Sequence, residues 1–99
     1  MTEVLNQNTY ELLVEVRHRE KIADPEGSTI NKALHALGFN SVEKVSVGKA
    51  IRLLIKSESE QAAVSQAEDI CKRLLANPVL ENYFITLIKQ KTPEEISSV

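Results

Sequence analysis

The 99 residues carry 12 basic and 14 acidic side chains, and a formal net charge of −2 gives little non-specific attraction to nucleic acid or to an anionic membrane. A chain of this length folds as one domain with a thin core, which argues against a self-contained enzyme for two large substrates. Its single cysteine, Cys71, cannot form an internal disulfide and suits a reducing cytoplasm, and no apolar run is long enough to span a bilayer.

The first predicted element is a strand over residues 10–17, after a polar stretch at residues 1–8 that reads as a flexible N-terminal extension. Polar and apolar residues alternate along the strand, as they do when one face of a strand is buried. The apolar face consists of Tyr10, Leu12, Val14 and Val16. Leu13 is the apolar residue that falls on the polar face.

A helix is predicted next, beginning at Asp24 or at Ser28. Asp is a favoured N-cap and proline fits the first helical position, whereas Gly27 also permits a turn. Helical spacing then predicts a buried stripe made of Ile30, Ala33, Leu34 and Leu37. Gly38 follows where a left-handed C-cap belongs.

Two strands with a tight turn are predicted from residues 42–47 and 50–56, joined at Gly48-Lys49 because glycine tolerates the positive φ of hairpin turns. In the second of these strands Ile51, Leu53 and Ile55 point inward, and Leu54 interrupts the polar face.

The second helix is predicted after residues 57–60, whose Ser-x-x-Glu pattern is typical of a capping box, and it ends before Asn77-Pro78. Its apolar stripe consists of Ala63, Ala67, Ile70, Cys71 and Leu74. A β-branched and aromatic strand over residues 83–88 and a polar tail at residues 90–99 complete the chain.

The element order β-α-β-β-α-β predicts an α+β, ferredoxin-like domain at residues 9–89, with a four-stranded antiparallel sheet in the order 4-1-3-2 and both helices on one face. The other sheet face is uncovered. Leu13 and Leu54 lie there, with either Phe84 and Ile88 or the alternate set Tyr83, Ile85 and Leu87. An apolar patch of this kind predicts a homodimer through the sheet face, with strand exchange between protomers as a second route.

No catalytic or metal-binding constellation is evident. His18, His35 and Cys71 lack partners at metal-ligand spacing, and Cys71 falls on an apolar stripe. RNA-binding sheets need aromatic side chains on their central strands, which this sequence does not supply. A dimeric ligand-binding regulatory domain, using the Gly-containing loop at residues 24–27, stays open as an alternative function.

Several local motifs together resemble the PurS family, the small subunit of phosphoribosylformylglycinamidine (FGAM) synthase in purine biosynthesis. The resemblance covers residues 10–88. Its motifs are Asp24-Pro25-Glu26-Gly27, Ala33-Leu34 with Leu37-Gly38, Val47-Gly48-Lys49, and the run from Leu74 to Tyr83 that contains Leu-Leu-Ala-Asn-Pro.

The resemblance implies a cytoplasmic, non-catalytic subunit of an ATP-dependent carbon–nitrogen ligase. Its partners would be a glutaminase subunit and a large synthetase subunit, and the synthetase would use ATP and Mg2+ while this chain holds no cofactor. As a homodimer or tetramer, the chain would bridge the two so that ammonia from glutamine reaches formylglycinamide ribonucleotide. The candidate partner contacts are Asp24, Pro25, Glu26, Gly27, Gly48, Lys49, Asn77, Pro78 and Glu81.

Overall fold

The computed structural model of the 99-residue chain describes residues 7–91, and most of the predicted terminal extensions, at residues 1–6 and 92–99, lies outside the described residues. The elements are β1 (Asn8–His18), α1 (Pro25–Ala36), β2 (Gly48–Ser57), α2 (Glu60–Ile70) with a π-helical turn at Cys71–Leu75, and β3 (Glu81–Lys91). No helix among them is both long and apolar enough to cross a membrane.

The three strands form an antiparallel sheet in the order β2-β1-β3. The central strand β1 shows the predicted alternation, because its apolar face is 0 to 4% exposed. Val14 lies between Ile51 of β2 and Ile85 of β3, which places the apolar faces of all three strands on one side. Successive side chains of a strand point to opposite faces, so this register fixes which residues the sheet buries.

Helix α2 covers that apolar side. Ala63, Ala67 and Cys71 are 0% exposed, and their small side chains allow the helix to pack closely on Tyr10, Leu12 and Val14. This stripe is confirmed except at its end. The π-helical turn, closed by the N–H of Ala76 donating to Cys71 O at 3.0 Å, shifts the helical phase and leaves Leu74 80% exposed.

The start of α2 differs from the predicted capping box. Ser59 is the N-cap, and its Oγ accepts the N–H of Ala62 at 3.1 Å. Ser57 instead ends strand β2 and is buried. The strand therefore runs further than the Ser-x-x-Glu pattern indicated, since Ser57 pairs with Asn8 of β1.

The prediction of four strands is wrong, because residues 42–47 form no strand. Their backbone groups are bonded by side chains of the α1 segment instead: Val47 N–H donates to Asp24 Oδ2 at 2.9 Å, and Val42 O lies 2.7 Å from His35 Nε2. The hairpin at Gly48-Lys49 is also wrong. Among the described glycines only Gly38 has a positive φ, and Gly48 is the first residue of β2.

The prediction that both helices cover one sheet face is wrong as well, since within residues 7–91 helix α2 packs on all three strands and α1 makes no comparable contact with any of them. Helix α1 and residues 37–47 form an arm that lies away from it. The predicted buried stripe is open along this arm: Leu37 is 73% exposed, Ile30 and Ala33 are exposed too, and Leu34 is half-buried. Phe39, beyond the helix, is also exposed. The radius of gyration is 18.2 Å, against roughly 13 Å for a compact domain of this length.

The sheet face opposite α2 is uncovered within the described chain. Leu54 on one edge strand is 58% exposed, Phe84 and Ile88 on the other edge strand are exposed too, and Leu13 between them is half-buried. The structure thus selects Phe84 and Ile88 for this face and places Tyr83, Ile85 and Leu87 on the side of α2. We call Leu13, Leu54, Phe84 and Ile88 the uncovered apolar face.

Candidate partner-contact surface

The three motif-bearing loops meet at one end of the sheet. Strand β1 ends where β2 and β3 begin, so Arg17 lies opposite Gly48 on one side and Asn82 on the other. His18 lies opposite Glu81. We call this region, residues 17–27, 46–49 and 77–82, the loop end. All the candidate partner contacts predicted from the sequence fall within it.

Asp24 joins two parts of the loop end. It is the N-cap of α1, with Oδ1 accepting the N–H of Gly27 at 3.0 Å, and its Oδ2 accepts the N–H of Val47 at 2.9 Å. Hydrogen bonds from Val47 and Gly27 stabilise the carboxylate and hold the pKa of Asp24 below its ordinary value. The side chain therefore fastens the start of α1 to the residues just before β2.

Two of the candidate glycines are required by close backbone approaches. A Cβ at Gly27 would collide with Val45 O and with the Asp24 carboxylate. A Cβ at Gly48 would lie 2.5 Å from Val16 O. Backbone and side-chain atoms thus approach Gly27 closely, and helix α1 begins at Pro25, so most of the predicted Gly-containing loop at residues 24–27 is helical.

The loop before β3 is closed by a pair of residues. Asn77 N–H donates to Glu81 Oε1 at 2.8 Å, and Glu81 N–H donates back to Asn77 O at 2.7 Å. Arg19 holds this loop against the end of β1, since its backbone N–H donates to Leu80 O at 2.8 Å and its Nε donates to Pro78 O at 3.1 Å. Asn77 and Glu81 are therefore engaged within the chain.

The other candidates are exposed and free to meet a partner. Pro25 and Glu26 occupy the first turn of α1, Pro78 lies in the loop before β3, and Lys49 lies at the start of β2. Lys49 makes no ion pair with any residue in the range 7–91.

Sequence reasoning missed a cluster of basic residues at the same end. Residues 15–24 and 44–50 line a cleft of about 550 Å3. Its basic lining residues are Arg17, His18, Arg19, Lys21, Lys44 and Lys49. The run Arg-His-Arg-Glu-Lys at residues 17–21 was the available signal, because four of its five side chains are basic.

Cys71 and His35, which the sequence analysis considered as chemical groups, both make contacts that stabilise the fold. Cys71 is 0% exposed, as predicted for a core residue, and burial, with a smaller effect of Glu68, raises the pKa of its thiol. His35 is exposed on α1, and its Nε2 contacts Val42 O, which connects the helix to residues 37–47 of the arm.

The family model and the similar known proteins all point to the same family. The family model described as PurS, phosphoribosylformylglycinamidine (FGAM) synthase, matches residues 11–89. The PurS subunit of phosphoribosylformylglycinamidine synthase from Methanocaldococcus jannaschii is 39% identical over 80 residues, which are 81% of this chain and 96% of that protein.

Solved structures agree with the sequence matches. The purS subunit of the synthase from Thermotoga maritima has a TM-score of 0.79 at 29% identity, covering 83% of this chain and 94% of that one. A chain in the structure of PurLQS, also from Thermotoga maritima, has a TM-score of 0.76 at 30% identity, covering 81% of this chain and 98% of that one.

Proposed function

Because this chain belongs to the PurS family, we propose that it is the small, non-catalytic subunit of a phosphoribosylformylglycinamidine synthase in purine biosynthesis. Its role is to bridge the glutaminase subunit and the ATP-dependent synthetase subunit. The observation that carries this proposal is the likeness to a chain of PurLQS over nearly the whole of that chain.

The shape of the described chain supports a role in assembly. An elongated body with an exposed apolar arm, an uncovered sheet face and a loop end offers several surfaces to other chains. Large apolar side chains exposed in groups usually mark an interaction surface. The loop-end candidates Pro25, Glu26, Lys49 and Pro78 are the exposed residues that we assign to contact with the larger subunits.

The chemistry assigned to the complex explains why a bridge is needed. Ammonia released from glutamine is protonated and lost in bulk water, so it has to pass to the synthetase through a sealed path. In this proposal the synthetase subunit uses ATP and Mg2+ to activate the amide oxygen of formylglycinamide ribonucleotide, which ammonia then displaces. A rigid adaptor that holds two subunits in register lowers the entropic cost of that transfer.

Reconstitution with two nitrogen sources tests this role. The glutaminase and synthetase subunits are assayed with and without this chain, using either glutamine or ammonium chloride. We expect omission of the chain to abolish glutamine-dependent product formation and to leave ammonia-dependent formation largely intact. Equal glutamine-dependent turnover without the chain, or turnover by the isolated chain, would contradict the proposal.

We also propose that the chain is a homodimer through the uncovered apolar face. Leu54, Phe84 and Ile88 are exposed there, with paired charges among them: Glu11, on the central strand, pairs with Lys91 at 3.3 Å, and the Arg17 guanidinium lies 4.3 Å from the centre of the Phe84 ring. Large apolar side chains exposed on one face of a small domain usually mark an interaction surface. Exchange of a segment between protomers, for which the arm with its exposed stripe is the candidate, is the alternative route to the same association.

Sedimentation of matched variants distinguishes the two routes. If the sheet face forms the dimer, Leu54→Lys yields monomers at micromolar concentration while Leu37→Lys on the arm does not. If the arm is exchanged, the two results are reversed. A wild-type chain that sediments as a monomer at this concentration would contradict both.

A further inference from the structure

We propose that the cleft between residues 15–24 and 44–50 is a docking site for an acidic segment of a partner protein, held by Lys21, Lys44 and Lys49. It deepens the proposed function and rests on it, because the acidic segment is assigned to one of the two larger subunits. The basic charge of the cleft indicates what it binds, which is a stretch of polypeptide rich in aspartate and glutamate.

The first argument is local charge. Five Lys and Arg residues line the cleft against three Asp and Glu residues, although the chain as a whole has a net charge of −2. A cleft that concentrates one sign of charge in a protein of the opposite net sign focuses the electrostatic field on that site.

The second argument is that the acidic lining residues are largely engaged. Glu15 pairs with Arg17 at 3.4 Å, and Asp24 accepts two backbone N–H groups. Glu20 is the remaining carboxylate of the lining. By contrast, Lys21, Lys44 and Lys49 form no ion pair with any residue of the described chain, although the charge of Lys44 acts at longer range on Asp24.

The third argument is the backbone at Lys21, which has a φ of 73°. Among the non-glycine residues that the structure describes, only Lys21 has a positive φ, in a region that glycine adopts more readily. The turn around it is closed by the N–H of Ile22 donating to Arg19 O at 3.2 Å. This strained turn places a lysine in the cleft lining, and backbone outliers of this kind cluster at binding sites.

The kind of occupant follows from the exposure of these lysines. All three are exposed, flexible side chains spread over the two lining segments, so ordering them around one small anion would cost conformational entropy. An extended acidic segment meets them in succession and gains from charge complementarity, which sets orientation and speeds association. The cleft also belongs to the loop end, where the exposed motif residues lie.

A direct test uses a synthetic glutamate decamer as the probe. Backbone NMR spectra are recorded on the full chain at low salt, with inorganic triphosphate as a second probe. We expect the decamer to shift the amide signals of Lys21, Lys44, Ser46 and Lys49, and 0.5 M salt to abolish the effect. Binding of triphosphate without binding of the decamer would overturn the proposal in favour of a phosphate site.

The second test measures assembly with the two larger subunits. The Lys44→Glu/Lys49→Glu variant is compared with Lys72→Glu, which makes the same kind of charge change at an exposed position of the π-helical turn, outside the cleft lining. We expect the double variant to raise Kd about tenfold or more and to weaken its salt dependence, and the Lys72 variant to bind like wild type.

The two proposals fail in different ways. Wild-type binding that both variants match would overturn the docking site and leave the proposed function standing. A wild-type chain that binds neither subunit would count against the proposed function, and the decamer experiment would still decide whether the cleft binds an acidic segment.

Discussion

Asp24 holds two backbone N–H groups that belong to different parts of the chain, one in the first turn of α1 and one just before β2. Near it, Gly27 and Gly48 have no Cβ, which allows the carbonyl oxygens of Val45 and Val16 to approach closely. The motif residues that carry the family resemblance therefore include a local framework that shapes the loop end, beside the exposed residues assigned to partner contact.

The acid titration of Asp24 follows from its hydrogen bonds. Because its pKa in the folded chain lies below the ordinary value of 3.8, the carboxylate stabilises the fold above that value, and the contribution is lost as pH falls through the lowered pKa. NMR titration of the Val47 amide should show a midpoint below 3.8. The Asp24→Asn variant is the control and should lose that transition, whereas a midpoint above 3.8 would contradict the account.

Substitution at Gly48 should destabilise the sheet. In Gly48→Ala the new Cβ meets Val16 O on the neighbouring strand, and relief requires backbone movement at a cost of about 1–3 kcal/mol. Urea unfolding gives the free energy of unfolding. The adjacent Lys49→Ala is the control and should change it by less than about 0.5 kcal/mol. Equal stability of the two variants would mean that the close approach is absent.

At the scale of elements, β1 and α2 form the folded body. The strand supplies the apolar face, and α2 covers it through small side chains, with Cys71 at the point where the regular helix passes into the π-helical turn. The other helix has no such partner in the described chain, although its residues show the same helical spacing. Amphipathic periodicity thus predicts both helices correctly, but it does not indicate which surface each helix packs against.

The cap of α2 can be tested by removing its side-chain oxygen. Ser59→Ala loses the hydrogen bond from Ala62 N–H and should lower the free energy of unfolding by about 1 kcal/mol. Ser65→Ala, an exposed position inside the same helix, is the matched control, and it should be neutral or slightly stabilising because alanine favours helices. Urea midpoints compare the two, and an equal effect would place the N-cap elsewhere.

At the scale of the whole molecule, the chain exposes apolar area on two separate regions, the arm and the uncovered apolar face. Neither region has cover within the described residues. A thin core and open apolar surfaces together predict a chain whose folded state is completed by association.

The thermal stability of the chain should consequently depend on its concentration. Association stabilises the folded state by mass action, so a hundredfold increase in concentration should raise Tm by several degrees. Circular dichroism melts from 1 to 100 μM measure this shift. A double variant that changes both apolar regions, Leu37→Lys/Leu54→Lys, should abolish it, and a wild-type Tm independent of concentration would contradict association.

Most of the local elements and the family could be predicted from the amino-acid sequence. Alternation fixed which face of β1 is buried, helical spacing located α1 and α2, and Cys71 was placed in the core, because these patterns depend on neighbours within a few residues. The motifs around residues 24–27, 47–49 and 74–83 pointed to the family that the comparisons then gave.

The positions of those elements relative to the sheet could not be predicted in the same way, because they depend on long-range contacts. Residues 42–47 have strand-like composition, yet Asp24 and His35 take up backbone groups that a neighbouring strand would need, so the sheet has three strands and α1 lies off it. The basic cleft likewise depends on bringing residues 17–21 beside residues 44–49, which sequence spacing does not encode. Such pairings are set by long-range contacts, whose competition no local pattern resolves.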